Sequence, residues 1–143
     1  EVFAYGAHKL LPEVSYDDAT ISVLKFPNGV IGKVFVSTGC KRPYTMRTQL
    51  FGTKGTILCD NTSDHMTLYV VDKDGVDLAE PQTIPIEIKN HNAGLEFEVF
   101  AKTIENDQPV AMDGVQGAKT IACCLAIVES AKTGKPVAPD YNF

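Results

Sequence analysis

The chain has 143 residues, 44% of them hydrophobic and 22% charged, a composition typical of one folded domain and not of a disordered chain. Its 13 basic and 18 acidic residues leave a net charge of −5, which argues against a nucleic-acid or anionic-membrane partner. No apolar run approaches the roughly 20 residues that cross a bilayer, so no membrane association is expected.

The chain begins with a pattern typical of strands and tight turns. Apolar alternation predicts a strand over Val2–Ala7 and, after a connection that contains Pro12, a second strand over Asp18–Phe26. The Pro-Asn-Gly sequence at 27–29 is turn chemistry, because proline fixes φ while asparagine and glycine accept a positive φ. Val30–Thr38 is therefore predicted to return as the second arm of a hairpin.

Further alternating runs follow at short intervals. They predict strands over Thr45–Phe51, Thr56–Asp60, Met66–Val71, the short run 76–79 and Gln82–Lys89. Glycine-containing turns are predicted at 52–55 and 72–75, and Pro85 restricts the last strand to a sheet edge or a bulge because proline has no N–H to donate. Six to eight strands, mostly sequential neighbours, predict a largely antiparallel sheet.

The period of the apolar residues then changes from 2 to about 3.6. A first helix is predicted from Leu95 to Ile104, and a second between an N-cap at Asp113 and a C-cap at Gly134. The buried stripe of the second helix is predicted to consist of Val115, Ala118, Ile121, Ala122, Leu125 and Val128. Strands followed by helices predict an α+β fold, an open-faced and mainly antiparallel sheet with helices packed on one face.

One loop carries residues suited to binding a polyol or a carboxylate. The segment 39–44 combines Lys41, Arg42 and Tyr44, which offer a cation, a guanidinium fork, and an aromatic face with a hydroxyl. An exposed basic loop is the alternative interpretation. His91 lies at the mouth of the first predicted helix, where it serves either in capping and packing or in contact with a ligand.

Motifs for other chemistries are missing from the sequence. It has no G-x-G-x-x-G, no G-x-S-x-G, and no phosphate loop at 52–55, where a strand follows instead of a helix. The three histidines and four cysteines lack metal-binding spacing, so no metal residue is expected. Cysteines of this kind are typical of reduced, buried side chains, which predicts a cytoplasmic location.

Three motifs, in this order, carry a family resemblance. The hairpin around Asn28-Gly29 resembles an "F-x-N-G" strand end, and 52–55 is similar to a "G-T-x-G" turn. The tail, with Glu96–Ile104, Asp113-Gly114 and Ser130–Val137, is similar to "E-x-x-x-F-x-x-A-I … D-G … S-A-x-T-G-K-x-V". Together they resemble the C-terminal domain of the glucose–fructose oxidoreductase, inositol dehydrogenase and MocA (Gfo/Idh/MocA) family of NAD(P)-dependent oxidoreductases.

The resemblance implies that residues 1–143 are the single C-terminal, substrate-binding and oligomerisation domain of a longer parent. An amino-terminal Rossmann domain, absent from this chain, would bind NAD or NADP, and the family's catalytic residues would lie upstream of Glu1. No catalytic or cofactor-binding residue is then expected here, and the chain alone would be inactive. The parent would transfer a hydride to or from a sugar, polyol or related hydroxy compound.

The resemblance also adds to the reading of individual residues. Tyr44 precedes Gly52 by eight residues, the position at which inositol-dehydrogenase-like members place a substrate-contacting tyrosine. Lys41, Arg42 and His91 are further substrate-binding candidates. The family's sheets typically pack face to face, which implies a homodimer or homotetramer. The alternatives are a non-enzymatic α+β binding or assembly module and, with less support, a small isomerase or dehydratase.

Overall fold

The computed structural model describes residues 1–72, 74, 80–87 and 90–143. The predicted strand at 76–79, part of the turn at 72–75 and the end of the predicted strand at 88–89 lie outside the described residues. Contacts divide the chain into two compact units, one formed by 1–41 with 109–143 and the other by 42–108. The elements in chain order are β1 (Val2–Ala7), β2 (Ala19–Lys25), β3 (Ile31–Ser37), β4 (Arg47–Gly52), β5 (Gly55–Asp60), β6 (His65–Val70), β7 (Gln82–Pro85), a 3₁₀ turn (Asn90–Asn92), α1 (Ala93–Glu105) and α2 (Gly114–Thr133).

The first unit contains an antiparallel three-stranded sheet in the order β1-β2-β3. The predicted hairpin is confirmed, because Phe26 donates its N–H to the Val30 carbonyl across the turn and Gly29 has a φ of 85°. A positive φ is open to glycine at little cost because it has no Cβ. The turn therefore fixes the register in which β3 returns along β2.

Helix α2 packs against β1, and both of its predicted caps are confirmed. The Asp113 carboxylate accepts the N–H of Gln116 at 2.9 Å, and Gly134 ends the helix in the left-handed region at φ 65°. Val2 and Ala4 of β1 and Ala126 of α2 are buried. These small apolar side chains form the core between the helix and its sheet.

The predicted buried stripe of α2 is wrong in its larger members. Ile121 and Leu125 are 60% and 65% exposed, and the fully buried positions are Ala126 and Ser130. The Ser130 hydroxyl accepts the N–H of Ala4 at 3.0 Å and donates to the Lys135 carbonyl at 2.7 Å. Such bonds require the helix and the strand to approach closely, so α2 presents small residues to β1 and turns its larger apolar residues away.

The second unit contains an antiparallel four-stranded sheet in the order β4-β5-β6-β7. The turn predicted at 52–55 is a tight hairpin in which Gly52 pairs with Gly55. The edge position predicted from Pro85 is confirmed, because β7 is the outer strand of this sheet and ends at Pro85. Helix α1 belongs to the same unit, and none of its residues is buried.

The predicted α+β class is confirmed, with seven strands that pair only in the antiparallel sense within the described ranges. These strands are divided between two open sheets of three and four strands. Over the same part of the chain, neither helix combines the length and apolar character needed to cross a membrane.

Candidate functional site

Two of the four predicted site residues lie together in the second unit. The rings of Tyr44 and His91 have centroids 5.5 Å apart and are tilted by 54°. Their positions are distant in sequence, and no spacing argument joins them. Tyr44 is 64% exposed, so its ring and hydroxyl are accessible to a small molecule. The pair forms an aromatic surface with a phenol and an imidazole side by side.

The two predicted cations are placed differently. Lys41 is the last residue of the first unit's opening segment, whereas Arg42 opens the second unit, which also holds Tyr44 and His91. Both side chains are exposed, and neither forms an ion pair with a residue in the described part of the chain. Arg42 therefore shares a unit with the aromatic pair, and its donors are not occupied by a carboxylate.

His91 reaches Tyr44 from an unusual stretch of backbone. His91 has φ 58° and ψ 19°, and Asn92 follows at φ 55°, so two successive residues adopt the left-handed conformation ahead of α1. Histidine and asparagine are among the non-glycine residues that most often accept this region. The sequence His-Asn thus allows the chain to turn sharply between the sheet and α1.

Asn61, for which the sequence predicts no role, holds the main chain on both sides of Thr45. Its side-chain oxygen accepts the N–H of Met46 at 2.6 Å, and its side-chain N–H₂ donates to the Tyr44 carbonyl at 3.2 Å. Its own N–H donates to the Met46 carbonyl at 3.1 Å. The signal that could have revealed it is an asparagine just after a strand, where an amide can continue the ladder.

A shallow groove of about 240 Å³ lies on the polar side of the four-stranded sheet. Its lining consists of Arg47, Gln49, Leu58, Cys59, Asp60, Ser63, His65 and Thr67. The strand register places Arg47 opposite Asp60, and the Arg47 Nε lies 3.5 Å from an Asp60 oxygen. The groove therefore offers hydroxyl, amide and charged groups, which are suited to hydrogen bonds with a hydroxyl-bearing molecule.

Two carboxylates near this groove are held in their charged form. The hydroxyl and N–H of Thr62 donate to Asp60 and lower the pKa of its carboxyl, and Arg47 lowers that pKa further. The pKa of Asp64 is lowered by its hydrogen bond with His65, whose Nδ1 lies 2.7 Å away. Both groups are therefore acceptors at neutral pH.

The described residues contain no group of three or more histidine, cysteine or acidic side chains placed to hold a metal ion. What they bring together is the phenol of Tyr44 and the imidazole of His91, groups that bind and orient hydroxyl-bearing molecules by hydrogen bonds.

A family model described as "Oxidoreductase family, C-terminal alpha/beta domain" matches residues 1–138. The myo-inositol 2-dehydrogenase of Thermotoga maritima is 26% identical over 140 residues, which cover 96% of this chain and 42% of that protein. The uncharacterized oxidoreductase YrbE of Bacillus subtilis is 28% identical over 145 positions, which cover 99% of this chain and 42% of that protein. The chain thus spans less than half the length of the curated relatives it matches.

Solved structures show the same fold at lower identity. A levoglucosan dehydrogenase in complex with NADH superposes with a TM-score of 0.82 at 20% identity, covering 97% of this chain and 44% of that protein. The UDP-N-acetylglucosamine 3-dehydrogenase GnnA of Acidithiobacillus ferrooxidans superposes with a TM-score of 0.75 at 19% identity, covering 92% of this chain and 40% of that protein. At these identities the likeness establishes the fold.

Proposed function

Because the chain belongs to the oxidoreductase family whose C-terminal α/β domain it matches over residues 1–138, we propose that it is the substrate domain of an NAD(P)-dependent sugar or polyol dehydrogenase. The observation that carries this proposal is the contact between the rings of Tyr44 and His91, both substrate-binding candidates, at a surface where Tyr44 is exposed. Relatives named for inositol, levoglucosan and a nucleotide sugar support a hydroxyl-rich substrate.

In this proposal the chain binds the substrate and does not carry out the transfer. The Tyr44 hydroxyl and the His91 imidazole can each donate or accept a hydrogen bond, while Arg42 and Lys41 supply positive charge. Such groups hold a polyol in one orientation, which is what hydride transfer at a single carbon requires. We expect the chain alone to be catalytically inactive.

The cofactor belongs to the rest of the parent in this proposal. The sequence contains no G-x-G-x-x-G, so this chain has no Rossmann dinucleotide fingerprint. The structural neighbours include a dehydrogenase bound to NADH, which supports NAD or NADP as the hydride carrier of the parent. An amino-terminal Rossmann domain would bind it, with residues 1–143 as one C-terminal domain. The cytoplasmic location stays a prediction.

A second copy of the chain is the proposed partner of the three-stranded sheet. Cross-strand register places Tyr5, Ile21 and Phe35 in one row on the face opposite the buried Val2 and Ala4, and the three are 67%, 49% and 67% exposed. We call this row, with Val23 and Lys33 beside it, the outer face. An exposed apolar surface of this kind is typical of an assembly interface, and a self-complementary face suits a symmetric dimer.

The proposal is tested by assaying the parent protein with NAD and with NADP against a panel that contains myo-inositol, levoglucosan and UDP-N-acetylglucosamine. Reduction of the nicotinamide with at least one hydroxylated compound is the expected result, and residues 1–143 alone should give none. A parent that binds NAD(P) but oxidises no member of a broad sugar and polyol panel would contradict the proposal.

A further inference from the structure

We propose that Asn61 is a positioning residue that sets the orientation of the Tyr44 ring toward substrate, an inference that rests on the proposed function of Tyr44. The Asn61 amide binds the main chain of Tyr44 and Met46. It acts on the site through the backbone that carries the tyrosine.

The regular strand ladder ends before it reaches Tyr44. Strand β4 begins at Arg47, which pairs with Asp60, and the next opposed residues are Met46 and Asn61. In a hydrogen-bonded pair of an antiparallel ladder, each of the two opposed residues donates its N–H to the other's carbonyl. Here the Asn61 N–H donates to the Met46 carbonyl, but the Met46 N–H donates to the Asn61 side-chain oxygen. The side chain replaces the backbone carbonyl as acceptor.

The same amide continues the pairing to Tyr44. Its N–H₂ donates to the Tyr44 carbonyl at 3.2 Å, two residues before Met46. The Thr45 hydroxyl donates to the Pro43 carbonyl at 3.1 Å and bends the chain locally. Asn61 therefore fixes the peptide groups on both sides of Thr45, and with them the direction in which the Tyr44 side chain leaves the main chain.

Holding an N–H and a carbonyl at once requires one acceptor and one donor on the same short side chain, which an amide provides and a carboxylate does not. Aspartate has the shape of asparagine but would turn a second oxygen toward the Tyr44 carbonyl oxygen. The substitution Asn61→Asp thus keeps the bond to Met46, removes the bond to Tyr44, and changes no group in contact with substrate.

The experiment is a double-mutant cycle in the full-length parent with Asn61→Asp and Tyr44→Ala. One hydrogen bond is worth about 1 kcal/mol, so we expect Asn61→Asp to raise the KM for the sugar substrate about fivefold. The KM for NAD(P) should be unchanged. In the Tyr44→Ala background the same substitution should have no further effect, because no ring remains to be oriented.

Thr62→Ala is the matched control, since it alters the same turn by removing the Thr62 hydroxyl bond to Asp60 and leaves the Asn61 amide in place. It should leave both KM values near those of the wild type, with thermal unfolding measured for every variant. The inference is overturned if Asn61→Asp leaves the sugar KM unchanged, if its effect persists in Tyr44→Ala, or if Thr62→Ala reproduces it. If Tyr44→Ala itself has no effect on the sugar KM, the proposed function of Tyr44 fails instead.

Discussion

Hydrogen bonds to Asp18 anchor the connection between β1 and β2, the longest in the first unit, to the three-stranded sheet. One of its carboxylate oxygens accepts the N–H groups of Lys9, Leu10 and Leu11 at 2.6 to 2.9 Å. Its main-chain carbonyl accepts both the N–H and the hydroxyl of Thr38. A single buried residue therefore anchors the connection between β1 and β2 and also the end of β3, from which the chain continues toward Lys41.

These contacts give Asp18 a defined effect on acid stability. Burial raises the pKa of its carboxyl, but the N–H groups of Leu11, Leu10 and Lys9, together with the charge of His8, bring that pKa below the ordinary value of 3.8. A carboxyl whose pKa is lower in the folded than in the unfolded chain stabilises the fold above its unfolded pKa. That contribution is lost as the pH falls through the folded pKa.

We therefore predict that Asp18→Asn is less stable than the wild type at neutral pH and that the difference shrinks as the pH falls below about 4. The measurement is the free energy of unfolding in urea across this pH range. Asp17→Asn removes the neighbouring exposed carboxylate and should stay near the wild type at neutral pH. A gap between Asp18→Asn and the wild type that is constant with pH would contradict this assignment.

At the scale of elements, apolar alternation and a turn residue at each reversal were sufficient to predict the strands and their turns. Alternating burial is clear in β1, where Val2 and Ala4 are buried, whereas β5 and β6 are half-buried along their whole length. Observed bounds differ from predicted ones mainly at strand ends, as with Ile31–Ser37 in place of Val30–Thr38. The buried face of α2 could not be predicted, because helical periodicity assigns the largest apolar residues to the buried side. Close approach to β1 through Ser130 selects small ones.

The candidate site likewise depends on packing that the sequence pattern does not reveal. Tyr44 and His91 could each be singled out from their type and position, but their meeting depends on the left-handed backbone at His91 and on tertiary packing. Asn61 was not identified, because its role depends on the register of β4 and β5 and not on any local motif.

Alanine substitution is predicted to have opposite effects on the free energy of unfolding at two glycines, one inside α2 and one at its C-cap. Gly134 caps the helix at φ 65°, where a Cβ is strained, so Gly134→Ala should lower the free energy of unfolding by about 1–2 kcal/mol. Gly117 lies inside the helix with no atom within 4 Å of an added Cβ, so Gly117→Ala should raise it by about 0.5–1 kcal/mol. Chemical denaturation of both variants checks this, and effects of the same sign would contradict the description of α2.

At the scale of the whole molecule, the outer face is the proposed assembly surface. We predict that Phe35→Glu, which places a charge in the row with Tyr5 and Ile21, shifts the parent toward monomer, because burying a charge in an apolar interface is unfavourable. Light scattering after size exclusion, over a dilution series, measures the mass.

Val30→Glu is the control, because it adds the same charge at an exposed position in the hairpin turn. It should leave the oligomer intact. A wild-type monomer at all concentrations, or an unchanged oligomer in Phe35→Glu, would contradict the role proposed for the outer face.

The central claim is that this chain supplies the substrate-binding side of a sugar or polyol dehydrogenase, with Tyr44 in contact with substrate. The most direct measurement is kcat/KM of the parent with its best hydroxylated substrate for the wild type, Tyr44→Phe and the control Tyr69→Phe, which removes a hydroxyl within β6. We predict a loss of about 1–2 kcal/mol in transition-state stabilisation for Tyr44→Phe and none for Tyr69→Phe. An unchanged kcat/KM in Tyr44→Phe would contradict the claim.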